Sequence, residues 1–129
     1  MSRGFEVVLH GGIDAARDAR QALAKRGPAL PQSVFDDISL LVTELVTNAV
    51  RHGRSAGRPV TLDLRRWNGR VRVEVGDHGP GFTPPSSPSD GDARGWGLYL
   101  VDQVADSWGV RPTPKGTCVW FELPVAHPP

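Results

Sequence analysis

Two runs of alternating apolar and polar residues, Val60 to Trp67 and Arg70 to Asp77, are separated only by Asn68-Gly69, and this leaves the middle of the chain few options. Asn-Gly suits the two-residue hairpin turn because both of its residues tolerate positive φ. The two runs therefore pair antiparallel. In the second run Val71, Val73 and Val75 share a face, and the same period of two places Asp77 with them. A carboxylate turned inward at a strand end needs a partner, because an unpaired buried charge is costly.

The remaining elements follow from period and punctuation. Phe5 to His10 reads as a first strand. Asp14 to Arg26 reads as a helix with Ile13, Arg17 and Leu23 on one face, stopped by Gly27-Pro28. Pro31 opens a longer helix. At about 100° per residue Phe35, Ile38, Leu41, Val42, Leu45, Val46 and Ala49 fill one apolar arc, with Asn48 at its edge, Glu44 just outside, and Gly53 as the stop. Residues 83–94, rich in proline, serine and glycine, have no apolar period and read as a loop. Leu98 to Ser107, apolar at 98, 100, 101, 104 and 105, predicts a helix beginning at Gly95-Trp96-Gly97. Thr117 to Leu123 predicts a closing strand with Thr117, Val119, Phe121 and Leu123 on one face.

A chain of 129 residues fits one domain, expected to bury about two-thirds of its unfolded surface. With 39% hydrophobic and 22% charged residues it has the balance of a soluble globular protein. No stretch approaches the ~20 apolar residues of a membrane span. No signal peptide is recognisable. The lone Cys118 excludes an intrachain disulfide and a zinc cluster, so a cytoplasmic location is expected. A net charge of +1 argues against a generic polyanion-binding surface, so neither direct nucleic-acid nor membrane binding is expected.

Three separated segments carry the chemistry. Phosphoryl transfer at neutral pH needs a metal, donors for the phosphate oxygens and a group that orients the attacking hydroxyl or water. Asn48 can offer a hard oxygen to magnesium, and Glu44, one turn earlier, is placed to act as a general base. A solvated helix boundary would carry the same two residues. Asp77 before Gly79 and Gly81 can accept from the exocyclic amine of a base, while the glycines let backbone come close; a carboxylate satisfied by turn amides is the alternative. Gly95-Trp96-Gly97 before a helix offers free amides to an anion, although a plain turn has the same sequence. Neither a complete dinucleotide-binding glycine motif nor a Walker loop is present.

Taken in order, these segments resemble the ATP-binding domain shared by DNA gyrase, the ninety-kilodalton heat-shock chaperone, sensor histidine kinases and mismatch-repair ATPases, the GHKL superfamily. The likeness is greatest to its small stand-alone bacterial branch, the anti-sigma-factor serine kinases and the histidine-kinase-like regulatory ATPases. It spans the chain from the Phe5 strand to Pro124. The resemblance implies a glutamate base at Glu44, a magnesium-binding asparagine at Asn48 and an adenine-binding aspartate at Asp77, with Gly79 and Gly81. It places Gly95, Gly97 and Leu98 around the phosphates and Thr117 near the adenine. It also implies the Bergerat fold: an α+β, two-layer α/β sandwich with a mixed, mostly antiparallel sheet and helices on one face.

The expected organisation is a single domain over 1–129, with flexible ends at 1–4 and 124–129 and an ATP lid at 82–94. ATP and magnesium are the implied cofactors. The implied function is phosphorylation of a serine or threonine on a small antagonist protein, together with sequestration of a sigma factor. An ATP-switched binding module with negligible turnover is the other reading, and a homodimer is left open. The chain has no room for a phosphoacceptor histidine on a dimerisation helix, so histidine autophosphorylation is not expected.

Overall fold

The computed structural model describes residues 3–10, 12–52, 59–77 and 93–125. In chain order these form β1 (Arg3–Leu9), α1 (Ala15–Arg26), α2 (Gln32–His52), β2 (Val60–Trp67), β3 (Arg70–Asp77), α3 (Ala93–Val104), β4 (Ser107–Thr113) and β5 (Gly116–Pro124). The strands form one sheet in the order β1-β2-β3-β5-β4, antiparallel at every described pairing. The parallel pair that a mixed sheet would contain is not among them.

The turn between β2 and β3 is built as its sequence demands. Asn68 and Gly69 have φ of 46° and 74°, the left-handed geometry that lets a two-residue turn follow the twist of its strands. Its register seats Leu62 opposite Val75 and Leu64 opposite Val73. Across the next ladder Val73 faces Phe121 and Val75 faces Val119. These side chains are buried beneath the helices and, with Ile38, Leu41, Val42, Leu45 and Val46 of α2, form the core.

Three expectations need correction. Ile13 does not share a buried face with Leu23: it lies in the turn before α1 and is 99% exposed. Because α1 starts at Ala15, its buried stripe runs Ala15, Ala19, Leu23, with two small residues allowing close approach to α2. Arg17 faces solvent, within reach of Asp14 and Asp18. Second, α3 begins at Ala93, before the glycine pair, and ends at Val104. Third, Ser107–Thr113 is a strand, which lacks a clear alternating pattern because Gly109 and Pro112 interrupt it. It sits at the sheet edge, where proline is tolerated. At the limits of the described residues Arg3 and Gly4 pair with Arg66 and Arg65, and Val125 N donates to Gly69 O.

The other face of the sheet carries a continuous alternation of charge. Arg111 donates to Glu74 at 2.7 Å, Arg72 to Glu74 at 2.9 Å and to Glu122 at 2.8 Å, and Arg70 to Glu122 at 3.2 Å and Asp106 at 2.7 Å. The Arg72 guanidinium also lies 4.2 Å from the Trp120 ring centroid. Burial alone would raise the Glu74 carboxyl. Hydrogen bonds from Arg72 and Arg111 outweigh it, so the group titrates below its ordinary 4.5. Above 4.5 the carboxylate is charged in both folded and unfolded chains and its full contribution is present. As pH falls from there through the depressed native value, the unfolded chain takes up the proton first and stability is lost. Urea titrations below pH 4.5 should therefore show a steeper loss in wild type than in Glu74→Gln; equal slopes would mean that this pairing adds nothing to the native state.

Among the described residues no helix is long and apolar enough to cross a membrane.

Candidate nucleotide site

Helix α2 runs across β2 and β3, and its apolar arc ends where its polar pair begins. Glu44 is half-buried; Asn48, one turn on, is only 8% exposed. The Asn48 Nδ2 atom is buried and has no hydrogen-bond partner among the described residues. An unmatched buried donor costs about 1–3 kcal/mol, so a ligand that brings an acceptor to this point would recover that cost.

Helix α3 closes on the same pair. A Cβ on Gly97 would lie 2.5 Å from Asn48 Nδ2 and 3.6 Å from the Glu44 Cβ, so only bare backbone fits. The glycine pair thus acts differently from what its sequence suggests. Gly95 falls in the first turn of α3, where amides lack helical acceptors, but Gly97 lies two residues further in and makes room for Asn48. A glycine inside a helix costs about 1 kcal/mol relative to alanine, and here the close approach to Asn48 is the packing reason for it. Leu98 is buried in the hydrophobic core and anchors this end of α3.

The adenine half of the expected site rests on register. Asp77 and Thr117 are directly opposite on β3 and β5, on the same face as Val75 and Val119. Thr117 is 1% exposed and Asp77 half-buried, and both make polar contacts. The register thus puts Asp77 in phase with Val75 at the end of β3, as alternation predicts. The structure brings Glu44, Asn48 and Gly97 together at the helices, and Asp77 and Thr117 together on the sheet's helix-covered face. Gly79, Gly81 and residues 82–92 of the expected lid lie outside the described residues, while Ala93 and Arg94 belong to α3.

A family model for the histidine kinase-like ATPase domain matches residues 11–123. The chain belongs to that family. Among solved structures this ATPase-family domain is similar to the blue-light activated histidine kinase EL346 of Erythrobacter litoralis, at 29% identity and TM-score 0.58, over 74% of this chain and 32% of that one. A structure of the histidine kinase domain of the same Erythrobacter protein aligns at 23% identity and TM-score 0.56, over 87% of this chain and 60% of that one, a likeness of fold. The ATPase domain thus spans about a third of the kinase and 60% of its kinase-domain structure. No curated protein matches it in sequence.

Family membership implies ATP as ligand, and the residues present fit it. The family domain generally uses magnesium as well. Among the described residues no group of three or more His, Cys, Asp or Glu side chains could hold a metal by itself. Magnesium asks for less, since it commonly takes one or two protein oxygens and completes its shell with phosphates and water. The Asn48 amide oxygen can supply one such ligand.

Away from this site, Cys118 faces the charged side of the sheet, with its thiol 3.5 Å from a Glu74 oxygen. Burial, followed by the Glu74 charge, pushes it up to about 11, so it is protonated at neutral pH. Alkylation at pH 8 should be slow in the folded domain and become rapid on unfolding; fast native labelling would contradict this environment.

Proposed function

We propose that this domain binds magnesium-ATP and transfers the γ-phosphoryl group to a serine or threonine hydroxyl of a separate small protein. The carrying observation is the half-buried Glu44 one turn from the buried, unmatched Asn48, with α3 held against both by Gly97. In the transfer, the bond from the γ-phosphorus to the β–γ bridging oxygen breaks and one to the acceptor oxygen forms. The hydroxyl proton passes to Glu44, and ADP leaves. The resemblance to anti-sigma-factor kinases supports an antagonist protein as acceptor and a sigma factor as the sequestered partner. Incubation with γ-labelled ATP and cell extract should label one small protein on serine or threonine. If ATP binds but nothing is labelled, and a regulator is retained according to the nucleotide present, the ATP-switched binding module replaces the kinase.

Adenine selectivity gives a second test of the same reading. Asp77 is a pure acceptor when charged and should favour a base bearing an amine. Asp77→Asn should weaken ATP by about 1–3 kcal/mol in calorimetry, the usual cost of mismatching a buried polar contact. Equal affinities of the wild-type domain for ATP and GTP would remove Asp77 from the adenine site.

A further inference from the structure

Asp102 stands at an unfavourable place in its own helix. It lies in the last turn of α3, which carries no basic residue, and a carboxylate there opposes the helix dipole as well as having poor helix propensity. A residue that breaks the local rules calls for a compensating contact elsewhere in the fold. Here that contact is a hydrogen bond, in which Trp108 Nε1 on β4 donates to Asp102 Oδ1 at 2.9 Å.

The bond ties the helix to a fixed point. Trp108 pairs with Phe121 in the β4–β5 ladder, so its ring lies on the helix-covered face, half-buried against the core. The link between α3 and β4 is held as well: Ala105 N donates to Val101 O at 2.8 Å, Asp106 N to Glu122 O at 2.9 Å, and Arg70 Nη2 to the Asp106 carboxylate at 2.7 Å. Leu98 and Val101 hold α3 down by burial, but apolar contact has no direction and sets rotation about the helix axis only weakly. A hydrogen bond is directional, and one on the flank of the helix resists that rotation.

Rotation matters at the front of the helix. Gly97 precedes Asp102 by five residues, about 7.5 Å along the axis. A roll of about 20° moves backbone on a cylinder of radius about 2.3 Å by roughly 0.8 Å. The approach to Asn48 has no such slack, since a Cβ at Gly97 would already stand 2.5 Å from Asn48 Nδ2. We propose that Asp102 and Trp108 are positioning residues for the nucleotide site, a role that rests on reading Asn48 as part of that site. Their bond fixes the roll of α3, and α3 fixes Asn48 through Gly97. Neither residue belongs to the site itself.

Asp102→Ala tests this best, because its two effects have opposite signs. Alanine improves helix propensity and removes the adverse charge from the last turn, so thermal unfolding of the whole chain should stay near wild type or rise. Magnesium-ATP affinity by calorimetry should nonetheless fall roughly 10-fold, the low end for losing a contact that orients a metal ligand. Asp102→Asn keeps an oxygen acceptor and should bind as wild type does. Trp108→Phe keeps a ring without the donor and should match Asp102→Ala, and the double variant should bind no worse than either single one. The Asn48 side-chain amide resonances of the nucleotide-free domain give a second readout: they should shift in Asp102→Ala and Trp108→Phe and return in Asp102→Asn. Wild-type ATP affinity or unmoved Asn48 resonances in Asp102→Ala, or affinity and stability falling in parallel across the set, would overturn the proposal. If wild type binds no ATP while the resonances still move, the nucleotide reading fails and the link from Asp102 to Asn48 stands.

Discussion

Glu44→Ala is expected to lower phosphoryl transfer by roughly 10²–10⁴-fold, the usual contribution of a positioned base, while leaving most nucleotide affinity in place. The expectation follows from where the residue sits. Glu44 is half-buried on α2 beside the α3 approach, outside the apolar arc, so removing its carboxylate opens no core cavity. The binding contacts assigned to Asn48, Asp77 and Thr117 do not pass through it. Single-turnover transfer measured beside calorimetric affinity separates the two effects. Glu44→Gln should behave similarly, because it retains shape and polarity but cannot take a proton. Transfer at the wild-type rate in either variant would show that the base lies elsewhere.

Gly97 should show the opposite dependence. In Gly97→Ala the added methyl would sit 2.5 Å from Asn48 Nδ2, and the asparagine must turn away because the glycine's own backbone is fixed within a helix. Overpacking costs about 1–3 kcal/mol, but alanine regains about 1 kcal/mol of helix propensity, so stability should fall only slightly. Nucleotide affinity should fall roughly 10–100-fold, as expected when a metal ligand is mis-set. Gly97→Val adds further bulk against Glu44, carries no such propensity gain, and should abolish binding altogether. Thermal unfolding and calorimetry on the same samples decide the matter: a variant that binds ATP normally would mean that Asn48 is not required in its present position.

These two residues also show what was legible in the sequence. Glu44 and Asn48 were found because helical periodicity is regular over the long α2, and a polar pair at the edge of an apolar arc stands out. Asp77 and its face followed from strict alternation across an Asn-Gly turn. Both arguments use local geometry alone. Ile13 was misread because period counting does not say where a helix starts, and two alanines made α1's true stripe inconspicuous. Strand β4 was missed because an edge strand can hold Gly109 and Pro112 without losing its ladder to β5. Gly97 looked like a loop donor because its packing role depends on which residue of another helix lies opposite, and one segment cannot reveal that.

The register that sets Asp77 opposite Thr117 also sets Val75 opposite Val119 and Val73 opposite Phe121. The proposed recognition surface and the hydrophobic interior therefore share one reading frame in space. A single inserted residue within β3 would turn the aspartate to the charged side of the sheet and carry the valines with it. Changes of length in this part of the domain can be accommodated only in steps of two, or in the loops beyond the strand ends. Nucleotide selectivity can then drift in descendants of this chain by exchanging side chains, but hardly by sliding one strand along its neighbour.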